Sequence, residues 1–514
     1  MRAECARSLW VQKMQEEVDW ARLDIRSIQP QEYSVRILMM PRDGDVDVTP
    51  YGVKGRYDTW IKVSMMPGPE MAPSASLLAI APTMEHVGCS ITHGNTCCVL
   101  FFNPWTDNLI LRNDSQHRIY ASQLDIIGDL NDVEIYGTFV INPGALQIST
   151  RGDGCIAEFK VLPREYLEVT QSLPTKRPAE SLAASYKKSR VSTNLSATRT
   201  TAMQEVLPGN PLLALSRGEI LHVGTGDESY QLKRLAPIAE NLNSSVWKGE
   251  HSGMPGKAIV VKIIKPASHQ KDAIVQALET WLREMSIHSS IRSHFAIVQY
   301  LGSDGCFLST YMEEVGAKSL SKHTQPGTTK FNGNSVRAWR VLADIASGLC
   351  HLHGKNIVHG DIKLDNILFD PLRGATLIDF NLSFKTGQPL RGCGTPWYLP
   401  PEYLQDYSLF GKASDMWGLG VVTLWLLGHI PKPEKEKGWR IADLHPNGPL
   451  QEANIEAQEA MAEWLHVIRG ARWDLKKHNE EIAAVVGNLL RENQHCRITS
   501  EALVQQMAKF NLRD

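Results

Sequence analysis

One short stretch limits the architectures open to this chain more than any other: His359-Gly360-Asp361-Ile362-Lys363-Leu364-Asp365-Asn366. It follows an apolar helical stretch and precedes a strand-like Ile367-Leu368-Phe369. A helix-to-strand loop must therefore present an acid, a cation and a metal-capable amide at fixed offsets. Shortly beyond it, Leu377-Ile378-Asp379-Phe380-Asn381 is an apolar strand that ends in a second carboxylate.

The 514 residues, 43% hydrophobic and 21% charged, leave room for a large core and for two or three domains. A formal net charge of -2 argues against a globally basic chain, so no direct nucleic-acid partner is expected. Nine cysteines run irregularly from Cys5 to Cys496 without C-x-x-C pairs, which suits free thiols in a reducing compartment. Adjacent Cys97 and Cys98 read as strand residues. Met1 to Glu16 alternates charge with apolar residues and lacks the continuous apolar core of a secretory signal. The most apolar run, Trp417 to Ile430, falls short of the roughly 20 residues a membrane span needs. It reads as a buried core helix, and no membrane partner is expected.

Residues 1–168 contain short apolar runs (Ser34 to Met39, Cys97 to Phe102, Asn108 to Leu111, Val133 to Ile141) separated by Gly, Pro and Asn/Asp. That spacing predicts a β-rich domain. Residues 169–229 read as a flexible basic linker, because the stretch from about 170 to 205 carries too little apolar area to offset its chain entropy. Within it, Lys176-Arg177 and Lys187-Lys188-Ser189-Arg190 are similar to a bipartite nuclear import signal, two clusters gripped by two acidic pockets of an import carrier. The expected location is intracellular, nuclear by this resemblance and cytoplasmic if the segment is only a solvated linker.

The pattern H-x-D-x-K-x-x-N resembles the catalytic loop of serine/threonine protein kinases. Leu377 to Asn381 is similar to the segment where that family keeps its magnesium-binding aspartate. The resemblance covers residues 230–512. Gly394-Thr395-Pro396-Trp397-Tyr398-Leu399-Pro400-Pro401-Glu402 is similar to the end of an activation segment, and Asp415-Met416-Trp417-Gly418-Leu419-Gly420 to the start of the central buried helix. Arg497 matches the arginine that pairs with the segment-ending glutamate, here Glu402. The implied class is α+β: a two-lobed kinase fold, with a β-rich small lobe and a helical large lobe, preceded by a β-rich, sandwich-like domain.

This resemblance implies ATP and Mg2+ as cofactors and protein serines or threonines as substrates. Phosphoryl transfer rests on positioning and electrostatics, and each requirement has a candidate. Lys262 is the one cation in the apolar strand Ala258 to Ile264, so it needs a partner or a ligand. By the family match it holds the α/β-phosphates and pairs with Glu284, with Glu279 as a rival. Asp361 orients the acceptor hydroxyl and collects its proton; because a carboxylate is a poor base for a hydroxyl, it contributes mainly by positioning. Lys363 contacts the γ-phosphate. Asn366 and Asp379 offer hard oxygens to magnesium, and Ile238, Val246 and Glu313 complete the implied nucleotide site.

Three departures stand out. Ala239, Asn241 and Ser244 occupy the glycine positions of the phosphate loop, which should stiffen or displace it. Gly360 replaces the arginine that reads a phosphate on the activation segment, which weakens Ser383, Thr386 and Thr395 as activating switches. Asn381 stands where the family has glycine, and asparagine tolerates the left-handed region. A pseudokinase scaffold and, on weaker grounds, a small-molecule phosphotransferase are the alternatives. In the first domain, Asn108 to Tyr120 is similar to a strand-loop-strand of the forkhead-associated sandwich, which would bind a phosphopeptide. No Gly-Arg start or Ser-x-x-His contact motif convincingly matches that fold, which favours a plain β-rich interaction domain with a protein partner.

Overall fold

The computed structural model describes residues 36–41, 46–52, 61–64, 76–80, 86–124, 130–151, 154–162, 167–170, 209–223, 229–388, 394–406, 409–444, 452–475 and 480–511. They form two compact units, Met1–Leu278 with Asp304–Ser309, and Glu279–Ser303 with Thr310–Asp514.

The first unit begins with a β-sandwich. Its strands are β1 (Ile37–Pro41), β2 (Asp47–Gly52), β3 (Ile61–Ser64), β4 (Ser76–Ile80), β5 (His86–His93), β6 (Thr96–Phe102), β7 (Leu109–Asn113), β8 (Ile119–Gln123), β9 (Leu130–Val133), β10 (Thr138–Ile141), β11 (Gly144–Thr150) and β12 (Gly154–Val161). One sheet runs β3-β4-β1-β12-β11-β8-β9, the other β10-β7-β6-β5-β2. Alternating side chains of both meet in one core: Ile37, Met39, Ile148 and Phe159 from the first, Cys89, Ile91, Leu100 and Leu111 from the second. Burial in this core pushes the Cys89 thiol up to about 12, so it is chemically quiet. Buried Asn113 ties the loops together. Its amide donates to the carbonyls of His117 (2.8 Å) and Val133 (3.0 Å), and its Oδ1 accepts from the Ser115 N–H (2.9 Å). The Val133 to Ile141 run is not one strand but two segments parted by a turn, where Tyr136 takes φ 58° and donates its N–H to Asn113 O at 2.8 Å. The buried amide of Asn113 outweighs the strand propensity of Ile135 and Tyr136.

The same unit continues through β13 (Leu167–Thr170), a short helix α1 (Pro211–Ala214), β14 (Ile220–Val223), β15 (Tyr230–Glu240), β16 (Ser244–His251) and β17 (Ala258–Ile264). The five strands pair in chain order and antiparallel. The described parts of the 169–229 stretch are thus strand and helix hydrogen-bonded to the small-lobe sheet, while the two basic clusters lie outside the described residues. Asn210 caps α1, accepting from the Leu212 N–H at 3.1 Å, and its amide donates to Phe307 O at 2.7 Å. On the sandwich edge, Thr138 Oγ1 donates to Asp272 Oδ1 at 2.7 Å, in the first turn of helix α2 (Lys271–Ser290).

The second unit takes up the remainder of α2 and is mainly helical. Helix α3 (Ser335–Gly354) is capped by Asn334, whose Oδ1 accepts from the Arg337 N–H at 3.0 Å, and buries Val341, Leu342, Ile345, Leu349 and Leu352 at helical spacing. Helix α4 (Lys412–Leu426) is buried from Ser414 to Leu426, so the apolar run that opens at Trp417 is a core helix. Among the described residues no helix is long and apolar enough to cross a membrane. Between α3 and α4, a hairpin of Ile367–Asp370 and Gly374–Leu377 places Asn366 just before its first strand and Asp379 just after its second. Asp370 closes its turn, accepting from the N–H groups of Leu372 and Arg373, each at 2.8 Å.

Candidate active site

The loop from His359 to Asn366 is held from beneath by one carboxylate. Asp415, buried in the first turn of α4, accepts the N–H of His359 through Oδ2 and of Gly360 through Oδ1, both at 2.9 Å. Its Oδ2 also lies 2.9 Å from Nε2 of buried His353, whose Nδ1 meets Ser500 Oγ at 3.0 Å. His359 is fully buried. Its Nε2 donates to the Ile378 carbonyl at 3.2 Å, which leaves Nδ1 to accept the Asp361 N–H at 3.3 Å. Burial pulls its pKa below the ordinary value, against the opposing fields of Asp415, Asp361 and Asp379. A neutral imidazole therefore pins the backbone of the acid in place.

Asp361 is nearly buried, and each of its oxygens is occupied. Lys363 Nζ lies 2.6 Å from Oδ2, and the Asn366 amide donates to Oδ2 and to the Asp361 carbonyl, both at 2.9 Å. The Thr395 hydroxyl donates to Oδ1 at 2.6 Å and accepts from Lys363 Nζ at 3.0 Å. An acid, an ammonium, an amide and a hydroxyl from segments more than thirty residues apart are thus linked. Asp379 follows the second hairpin strand with φ 68°, in the left-handed region, and accepts from the Asn381 N–H at 3.3 Å. Asn381 makes no use of its tolerance for that region: the turn is made at the aspartate itself. Phe380 packs behind it, stacked on His288 of α2 at 4.6 Å and edge-on to His359 at 5.3 Å. Glu402 and Arg497 form a buried two-pronged pair at 2.8 Å on both prongs, with the guanidinium 5.1 Å from the centre of the Trp417 ring.

Residues 243–508, just over half of the chain, match the protein kinase domain family. The chain belongs to the protein kinase family. Among curated relatives, protein kinase C eta type of Mus musculus is 33% identical over 225 residues, 41% of this chain and 29% of that protein. The mitogen-activated protein kinase kinase kinase YODA of Arabidopsis thaliana is 37% identical over 147 residues, 28% of this chain and 16% of that protein. The probable CTD kinase subunit alpha homolog of Encephalitozoon cuniculi is 39% identical over 174 residues, 32% of this chain and 53% of that protein. The chain thus spans less than a third of the protein kinase C eta type that it matches.

The other kinase residues fall as follows. In the first unit, Lys262 is buried in β17 directly opposite Val246 of β16, and Ile238 sits at an irregularity of β15, half exposed. In the second unit, Glu284 of α2 is buried at 1% exposure, whereas the rival Glu279 is only half-buried. Glu313 accepts from the Gln299 N–H at 3.0 Å and pairs with Arg373 at 2.8 Å through the same oxygen. Gly360 has φ 81°, and a Cβ there would lie 2.5 Å from the Leu382 carbonyl, so an arginine in this loop would be both strained and crowded.

Two residues of this network escape sequence reasoning. Thr395 reads as a switch candidate, yet its hydroxyl is already shared between Asp361 and Lys363; only the return of the segment onto the loop reveals this. Asp415 reads as the start of a helix, and an aspartate opening a helix is too common to signal that its oxygens hold the loop.

Proposed function

We propose that this chain is an ATP- and magnesium-dependent serine/threonine protein kinase. One observation carries the reading: the Asp361 carboxylate is bracketed by Lys363, Asn366 and Thr395 at hydrogen-bonding distance. Oδ1 accepts one hydrogen bond and has capacity for a second, which orients an acceptor hydroxyl and receives its proton as transfer completes. The Lys363 ammonium, held between Asp361 and Thr395, offsets charge gathering on the moving phosphoryl group. The Asn366 side-chain nitrogen is committed to Asp361, so its carbonyl oxygen is the atom left for a cation. With Asp379 it makes a two-oxygen donor set of the kind magnesium uses when phosphates and water complete its shell. Bound magnesium would neutralise the triphosphate and align it. Incorporation of labelled γ-phosphate into a generic protein substrate should be present in the full chain and lost in Asp361→Ala; retention in the variant would defeat this assignment.

Gly360 supports activity that does not depend on activation-segment phosphorylation, because the loop lacks a guanidinium to read the phosphate. Activity should be equal before and after phosphatase treatment. The sandwich supports a role in protein interaction. Among its described residues, Arg112 pairs with Asp114 and Arg118 with Asp132 and Glu134, which favours an ordinary protein partner over a phosphopeptide. A phosphothreonine peptide library titrated against the full chain decides between them. The basic clusters at 176–190 support nuclear import by a carrier, tested by locating a fluorescent fusion with and without Lys187-Lys188 replaced by Ala. A second reading, a scaffold that binds partners without transfer, is favoured by the glycine-free phosphate loop. The Asp361→Ala comparison separates catalyst from scaffold.

A further inference from the structure

The phosphate loop of this chain is built differently from a glycine hinge. Residues 239–244 contain no glycine. They close as a short hairpin in which the Asn241 N–H donates to Ser244 O at 2.8 Å, and none of its residues takes positive φ. Side chains throughout restrict the backbone that glycines would leave loose. The hairpin is then fastened to the strand that carries Lys262. Lys265, directly beyond the end of β17, donates its backbone N–H to Asn243 O at 2.8 Å, and its ammonium pairs with the Glu240 carboxylate. The Ser245 hydroxyl also bonds that carboxylate, and together these contacts hold its pKa below the usual glutamate range. The pair persists at any pH near neutrality. Pairing also fixes the register, since Glu240 lies opposite Ser245 and Val246 opposite Lys262.

We propose that Glu240 and Lys265 form a latch that holds the phosphate hairpin in a fixed position against the end of β17, supplying by an ion pair the placement other kinases obtain by folding a flexible loop around the nucleotide. They are positioning residues for nucleotide binding. The inference rests on the kinase reading given above. A preset loop loses little chain entropy when it meets the triphosphate, so the latch lowers the nucleotide concentration needed for half-saturation. Opening it should leave the chemistry at Asp361 untouched.

The test uses the full chain and Mg-ATP, with initial rates over a range of ATP and, in parallel, calorimetric titration. Glu240→Gln and Lys265→Met should each raise KM and Kd for Mg-ATP about two- to five-fold, the range an exposed ion pair can supply. The kcat should change less than the KM, and the thermal midpoint should barely move. The exchanged pair, Glu240→Lys with Lys265→Glu, should regain most of the loss, and raising the salt concentration should weaken nucleotide binding more in the parent than in the single variants. Unchanged KM and Kd in the single variants, or failure of the exchanged pair to recover, would overturn the latch while leaving the kinase reading intact. If the parent transfers no phosphate, the kinase reading fails and the titrations alone decide the latch. If the parent binds no Mg-ATP, both fall.

Discussion

The catalytic loop and the phosphate hairpin are held by opposite means. The loop around Asp361 is fixed by buried Asp415 below and by part-buried partners, Ile378 behind His359 and Thr395 across. The hairpin around Asn241 is fixed at the surface, by a tight turn and by an exposed ion pair to Lys265. A buried network has no water to substitute for a lost partner, whereas an exposed pair is partly replaced by solvent. The first region should therefore fail abruptly and the second gradually. The groups proposed for the chemistry sit in the region that tolerates least.

Perturbations of increasing mildness test that contrast. Asp361→Ala should lower phosphoryl transfer by about 10²- to 10⁴-fold at saturating ATP, with thermal stability largely kept. An effect no larger than that of the hairpin variants would erase the distinction. Arg497→Ala leaves Glu402 buried and charged without its partner and should cost about 3–5 kcal/mol in urea denaturation, because the desolvation penalty is no longer offset. A loss near that of a surface pair would show that water reaches the site. Gly360→Arg should cost about 1–3 kcal/mol by forcing a side chain into positive φ against the Leu382 carbonyl. A neutral outcome would mean that the loop can relax, contrary to its buried anchoring.

Acidification should act on the buried side of the contrast. His359, His251, His294 and His351 all have pKa values pulled down, chiefly by burial, so the folded state binds fewer protons than the unfolded one below the ordinary histidine pKa. Stability therefore rises with pH through this window and is lost as pH falls below about 6.5 toward the lowered folded values. The denaturation midpoint should drop between about pH 7 and about pH 5.5, and His359→Gln should flatten that slope. An unchanged slope would place the protons elsewhere. The mildest perturbation is the hairpin latch, where a few-fold shift in nucleotide affinity without a change in folding completes the series.

Much of the candidate active site was legible because its residues lie close together in the chain. Asp361, Lys363 and Asn366 are separated by two and three positions, so their spacing alone brought an acid, a cation and an amide into one loop. Glu402 and Arg497 were legible from their order along the chain. Other features required contacts made at a distance. Thr395 and Asp415 carry hydroxyl and carboxylate groups that many positions share, and which atom each one touches depends on how two segments return past each other. The left-handed turn fell at Asp379, where Asn381 was the better candidate by propensity, because the hairpin and the packing of Phe380 on His288 set the path there. The break at Tyr136 was hidden for the same reason: Asn113, more than twenty residues earlier, decides it.

By itself, then, the order of residues determined the β-rich first domain, the kinase-like second part and the groups available for chemistry, because alternating apolar runs and closely spaced polar residues act locally. Only the tertiary structure decided that the ends of the 169–229 stretch join the small-lobe sheet, that Asp415 holds the catalytic loop, and that Lys265 fastens a hairpin without glycines. Hydrogen bonds and ion pairs depend on distance and angle between atoms, and for partners far apart in sequence those are known only once the chain is packed.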